Sequence, residues 1–113
     1  MLTQRQPNEI YSFVEVSQAT VNPGTVNATT RFSVTVNPTL AGTAEPSACL
    51  PGDLVEAIPP IAAEPTGFLM WSAYVSAPGT IIIAGINANS SGVTPTSAVW
   101  TFVTKRISPA GVY

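Results

Sequence analysis

Apolar and polar residues alternate with a period of two in several short stretches, and no stretch keeps helical spacing over three turns. The clearest stretch is Arg31–Val36, where Phe32, Val34 and Val36 point one way and Arg31, Ser33 and Thr35 the other. Ala98–Ile107 repeats the pattern, with Trp100, Phe102 and Thr104 opposite Val99, Thr101 and Val103. In Ile10–Ser17 the two faces are Ile10, Ser12, Val14, Val16 and Tyr11, Phe13, Glu15, Ser17. Both carry apolar groups, which predicts a two-sided or interfacial strand. Phe68–Ser76 is apolar on both faces as well and predicts a central or sandwiched strand.

Thr80–Asn87 contains Ile81-Ile82-Ile83, strongly β-prone and too short for a helix. The Ala77-Pro78-Gly79 break before it predicts an antiparallel hairpin with Phe68–Ser76. Leu54–Ile58 reads as a brief strand entered through the Pro51-Gly52-Asp53 turn and stopped by Pro59-Pro60, which cannot donate to a ladder. That limit on pairing puts it at a sheet edge.

Turn signals separate these stretches. Gln18–Thr30 is small and polar around Asn22-Pro23-Gly24, with room for one or two further strands. Thr39–Ala48 and Asn87–Pro95 read as long polar loops, the kind that often contacts partners. Six strands at short, regular spacing predict an all-β fold, a single-domain antiparallel β-sandwich, jelly-roll-like or immunoglobulin-like. Residues 1–9 are polar and interrupted by Pro7, so they form an irregular N-terminal arm ahead of a sandwich domain spanning 10–113.

Composition changes this picture in one respect. The 113 residues suit one domain, yet only 9% are charged against 45% hydrophobic. Ordinary soluble domains are about 25% charged. A surface this neutral is expected to be hidden against copies of the chain or a large partner. A net charge of −2 with four basic residues predicts no nucleic-acid binding. Lys105-Arg106 reads as a solvated strand end. No run approaches the ~18 apolar residues of a membrane span, and Met1–Tyr11 lacks the apolar run of a secretory signal, so a soluble chain made in the cytosol is expected, with no membrane partner.

Catalytic chemistry has little to work with. There is no histidine and one cysteine, which removes Ser-His-Asp triads, Cys-His pairs, cysteine metal sites and an intrachain disulfide. Cys49 is expected to pack as a small hydrophobe. The six acids are scattered. Asp53, Glu56 and Glu64 lack the dense spacing of a calcium loop and read as solvated or turn-forming groups. The expectation is no enzyme, no metal and no cofactor. Trp71 and Trp100 read as core, with a sugar-stacking platform as the sharper alternative.

One resemblance covers residues 31–106. Its carriers, in order, are Phe32-Ser33-Val34, Pro51-Gly52-Asp53-Leu54-Val55, Pro59-Pro60, Ala73-Tyr74-Val75-Ser76-Ala77, Thr80-Ile81-Ile82-Ile83, Asn87 and Trp100-Thr101-Phe102-Val103-Thr104-Lys105-Arg106. In this order and spacing the chain resembles small tailed-phage virion proteins, taken to be capsid decoration (cement) proteins or parts of head fibres. The resemblance implies a β-sandwich, a homotrimer, and attachment to the major capsid protein on the outer surface of an icosahedral head. The expected contacts are Leu2, Gln4, Arg5 and Pro7 on the arm, Leu40 and Glu45 in the first long loop, and Asn89 and Ser90 in the second. The alternative is a head-fibre or carbohydrate-binding β-sandwich module.

Overall fold

A computed structural model describes residues 11–60 and 69–107. They form seven strands: β1 (Tyr11–Val21), β2 (Arg31–Val36), β3 (Thr39–Leu40), β4 (Leu54–Ile58), β5 (Leu69–Ala77), β6 (Thr80–Asn87) and β7 (Ala98–Ile107). Every pairing is antiparallel, in a four-stranded sheet ordered β3-β1-β7-β4 and a three-stranded sheet ordered β2-β6-β5. This is the expected all-β sandwich. Its pairings are nested: β1 lies on β7 and β2 on β6, while the middle of the chain wraps back to set β4 on β7 and β5 on β6. A long ribbon rolled up in that way is a jelly roll in shortened form, and it is not the immunoglobulin arrangement. The arm proposed for residues 1–9 lies outside the described residues.

Alternation explains which side chains meet. Phe32, Val34 and Val36 from β2, Ile81 and Ile83 from β6, and Trp71, Ala73 and Val75 from β5 face Ala19, Val21, Val55, Ala57, Trp100 and Phe102 across the layer. Phe102 and Ile81 are fully buried, each contributing roughly 1.5–3 kcal/mol of transfer free energy. Trp71 and Trp100 meet edge to face at 5.4 Å, joining the sheets, and the Trp71 indole N–H donates to the Ala57 carbonyl at 3.4 Å. Cys49 is buried in the same cluster, as expected.

The turns behave as their residues require. Gly52 has φ +97°, the left-handed region that the Pro51-Gly52-Asp53 turn needs. Gly79, at φ +74° in the β5–β6 hairpin, donates its N–H to the Cys49 carbonyl at 2.9 Å; a Cβ there would lie 3.3 Å from the Ser47 carbonyl oxygen. This turn therefore presses against the 47–49 segment.

Three expectations are corrected. The first strand runs four residues further, to Val21, because Ala19 and Val21 continue its inward face. The Phe68–Ser76 stretch, of which Phe68 lies outside the described residues, is not central, and from Trp71 to Ser76 it is not two-sided. Strand β5 is the outer strand of its sheet among the described residues, and Trp71, Ala73 and Val75 turn inward while Ser72, Tyr74 and Ser76 are exposed. Of the outward positions Ser72, Tyr74 and Ser76, Tyr74 alone carries a large apolar group, and its ring tolerates water on one side. Finally, Thr39–Ala48 is not a free loop. It supplies β3, pairs Thr39 with Pro46, and lies along β1 at Ser17 and Gln18.

Candidate functional site

Two polar clusters fix the frame on which any surface is presented. The first gathers around Cys49–Asp53. The Asp53 side chain is only 2% exposed, and its oxygens accept the Arg106 Nε–H at 2.8 Å, an Nη2–H at 2.9 Å and the Leu50 N–H at 2.9 Å. The hydrogen-bonded guanidinium holds the Asp53 carboxyl below the usual aspartate range, against the opposing effect of burial, and Asp53 in turn raises Arg106. Arg106 also stacks over the Phe13 ring at 4.5 Å. Beside this pair Glu15, facing inward from β1, accepts the Ser47 hydroxyl and the Ala48 N–H. The turn is thus clamped to both β7 and β1. The reading of Lys105-Arg106 as a solvated end is corrected for Arg106, which lies on the inward side of β7 in a two-point ion pair.

The second cluster organises the opposite end of the sandwich. Asn87 is fully buried; its amide donates to the carbonyls of Val26 (3.1 Å), Asn27 (3.3 Å) and Ser91 (2.9 Å), and its Oδ1 accepts the Asn89 N–H at 2.9 Å. Val26 and Val93 exchange N–H···O bonds of 2.8 and 2.9 Å. One asparagine therefore ties the β1–β2 connection to the β6–β7 loop.

Between these ends lies the least conventional surface of the molecule, the outer face of the four-stranded sheet. Strand register sets Val14, Lys105 and Leu54 in one row, Val16, Val103 and Glu56 in the next, and then Gln18, Thr101 and Ile58, followed by Thr20 and Val99. Val14 (59% exposed), Val16, Leu54, Ile58, Val99 and Ile107 are six of the nine large hydrophobic residues exposed among the described residues. A depression of about 170 Å³ opens between Leu54, Glu56, Val103 and Lys105. The other sheet turns Arg31, Ser33, Thr35, Ser72, Tyr74, Ile82, Ala84 and Ile86 outward, of which Tyr74 and Ile86 are the exposed large hydrophobic residues. A second opening, about 550 Å³, is lined by Gln18, Thr20, Thr35, Asn37, Thr39 and Val99, mostly hydroxyl and amide groups with no aromatic ring.

The contacts expected from sequence are dispersed. Leu2, Gln4, Arg5 and Pro7 lie outside the described residues. Leu40 is half-buried in β3 opposite Ser17, and its N–H donates to the Glu45 carbonyl at 2.8 Å. Glu45 is exposed on the turn that follows. Asn89 and Ser90 sit beyond Asn87 at the other end, Ser90 exposed and its N–H bonded to Asn89 Oδ1. The two loops do not share a surface. The outer-face residues went unnamed as contacts, although their signal was present: Val14 and Val16 on the second apolar face of β1, and Val99 and Val103 opposite Trp100 and Phe102.

Among the described residues no group of three or more His, Cys, Asp or Glu side chains is placed to hold a metal ion, and no helix is long and apolar enough to cross a membrane. Trp100 is 2% exposed and cannot serve as a sugar platform; Trp71 packs against the core but is only half-buried, and it also lines an opening of about 460 Å³ with Arg31, Ser72, Ala84, Gly85 and Ile86. Comparison with known protein families, curated proteins and solved structures finds no match to this chain.

Proposed function

We propose that this chain is a structural association protein, and specifically a capsid decoration protein that binds the outside of a phage head and reinforces contacts between major capsid protein subunits. The observation that carries the association reading is the exposed apolar face of the four-stranded sheet, on a chain with only 9% charged residues. Water meets six large apolar side chains on one side of one sheet, and covering them is favourable by roughly 25 cal/mol per Å². A cement protein has that need: it acts by burying surface, performs no chemistry, and gains strength from many copies acting together. The clamps at Asp53 and Asn87 suit the role, since they hold loops at both ends in one arrangement before binding. Jelly rolls serve both viral capsids and lectins, so the fold favours neither by itself. The resemblance of residues 31–106 to phage decoration proteins supplies the head as partner, and the burial of Trp100 weighs against the sugar-binding alternative.

Heating heads that carry the chain beside heads that lack it tests the proposal. Decorated heads should hold together to a higher temperature; equal resistance overturns cementing.

A further inference from the structure

We propose that the outer edge of β2 is a docking site for an extended, uncharged segment of a partner protein, which adds to the three-stranded sheet as a fourth strand. This edge is distinct from the apolar face of the other sheet and does not depend on what covers that face.

The backbone supplies the first reason. The Asn87 N–H donates to the Thr30 carbonyl at 3.0 Å, so Thr30 and Asn87 form a hydrogen-bonded pair. Antiparallel pairing alternates, which makes Phe32–Gly85, Val34–Ile83 and Val36–Ile81 the next hydrogen-bonded pairs. The N–H and C=O groups of Arg31, Ser33 and Thr35 therefore point away from β6, and among the described residues β2 is the last strand of its sheet on that side. The other edge strands are blunted. β4 ends at Pro59-Pro60, β5 carries a bulge between Val75 and Ala77, and β3 has two residues, with its Leu40 N–H taken by the Glu45 carbonyl. β2 holds no proline, and its register on β6 is unbroken. Donors and acceptors that repeat every second residue are matched by another extended backbone.

The layers supply the second. β1 lies over β2 and β4 over β5, so among the described residues the four-stranded sheet overhangs by one strand and β3 has none opposite it. The opening of about 550 Å³ lies at this overhang, between Gln18 and Thr20 of β1, Thr35 and Asn37 at the end of β2, and Thr39 of β3. A strand added to β2 sends alternate side chains toward it, and its hydroxyl and amide groups suit Ser, Thr or Asn there.

Reach and shape select the occupant. The opening sets Gln18 beside Thr35, and Gln18 lies seven residues along β1 from Tyr11. Residues 1–10 would have to run back about 23 Å from Tyr11, cross the ~10 Å between layers and follow the edge for about 13 Å more. Ten residues span at most about 36 Å, so this segment cannot fill the edge. Residues 108–113 are fewer and follow Ile107 at the same end, while residues 61–68 join β4 to β5 at the opposite edges. The β2 strand of a second copy has Phe32, Val34 and Val36 committed to its own core, so it brings no side chains to the opening.

Amide hydrogen exchange on the full chain tests the proposal. In dilute native chain the Arg31, Ser33 and Thr35 N–H groups should exchange fast, and those of Phe32, Val34 and Val36 slowly. The probe is a capped synthetic peptide of about six residues, the length of an ordinary strand, alternating threonine with serine. At about ten times its dissociation constant it should slow exchange at Arg31, Ser33 and Thr35 about 10-fold. The same peptide N-methylated throughout should leave exchange unchanged. Ser33→Pro removes an N–H that β6 does not use, so it should keep the native far-ultraviolet circular dichroism and lose the peptide. Slow exchange at the three positions in dilute native chain overturns the proposal, as does protection that grows with the chain's own concentration or vanishes on deleting residues 1–9. No slowing by the parent peptide, or equal slowing by its N-methylated form, overturns it as well. Head binding is a separate readout: heads left bare by a chain that still takes the peptide refute the capsid reading and leave the edge site standing.

Discussion

Replacing Asp53 by Asn keeps the shape of the side chain and removes its charge. The carboxylate is 2% exposed and accepts three hydrogen bonds, two from Arg106 and one from the Leu50 N–H. An amide oxygen can keep the Leu50 bond, so the loss falls on the two charge-assisted bonds. Such bonds are each worth roughly 1.5–3 kcal/mol when buried. The Arg106 side chain is 32% exposed, and water takes up part of what it loses, so the Asp53→Asn cost should be about 2 kcal/mol in total. In a domain of this size that lowers Tm by roughly 8 °C. The pH dependence gives the sharper test. The folded pKa of Asp53 is lowered, so the carboxylate's contribution is fully present above the unfolded value near 3.8 and is lost as pH falls through the lower folded value. Thermal melts should therefore show a constant gap between native chain and variant above about pH 5 that narrows below about pH 4. A gap of equal size at pH 3 and pH 7, or none at pH 7, refutes the clamp.

Four further outcomes follow from the same structure. Asn87→Ala takes the hydrogen-bond partner from the Ser91 carbonyl and the Asn89 N–H, while the Val26 and Asn27 carbonyls keep the Val93 and Thr30 donors, and should cost about 1–3 kcal/mol, with faster amide exchange at Val26 and Val93; unchanged exchange there removes Asn87 as the tie. Phe102→Ala, at a fully buried site, should cost about 3–5 kcal/mol by urea denaturation, and a loss under 1 kcal/mol would contradict its central place. Ser17 carries a buried hydroxyl with no hydrogen-bond partner among the described residues, so Ser17→Ala should stabilise by about 1 kcal/mol, where destabilisation would reveal a partner. Deleting residues 1–9 should reduce occupancy on heads, and full occupancy removes the arm from the contact.

The fold was legible wherever one side chain in two had to avoid water. Arg31–Val36, Leu54–Ile58 and the β5–β6 hairpin follow from alternation and from Pro and Gly punctuation, which act within a few residues. What alternation could not show is which apolar face is covered. Val14 and Val16 look as core-forming as Val34 and Val36, yet the first pair meets solvent and the second meets Ile81 and Phe102, a difference set by which sheet packs on which. The Arg106–Asp53 pair was hidden for a related reason: 53 residues separate its members, and only the register of β4 on β7 brings them together. Asp53 was read as a turn former, which it is, while its larger partner lay across the sheet. The candidate contacts were chosen by loop length, and length does not record that Thr39–Ala48 folds back on β1.

The central claim, that this chain works by covering the surface of a head, is tested most directly by co-sedimentation. Purified chain should bind heads assembled without it, saturate at a fixed number of copies per capsid subunit, and fail to bind disassembled capsid protein with the same affinity. A chain that stays in the supernatant at every concentration, or binds without saturating, contradicts the account.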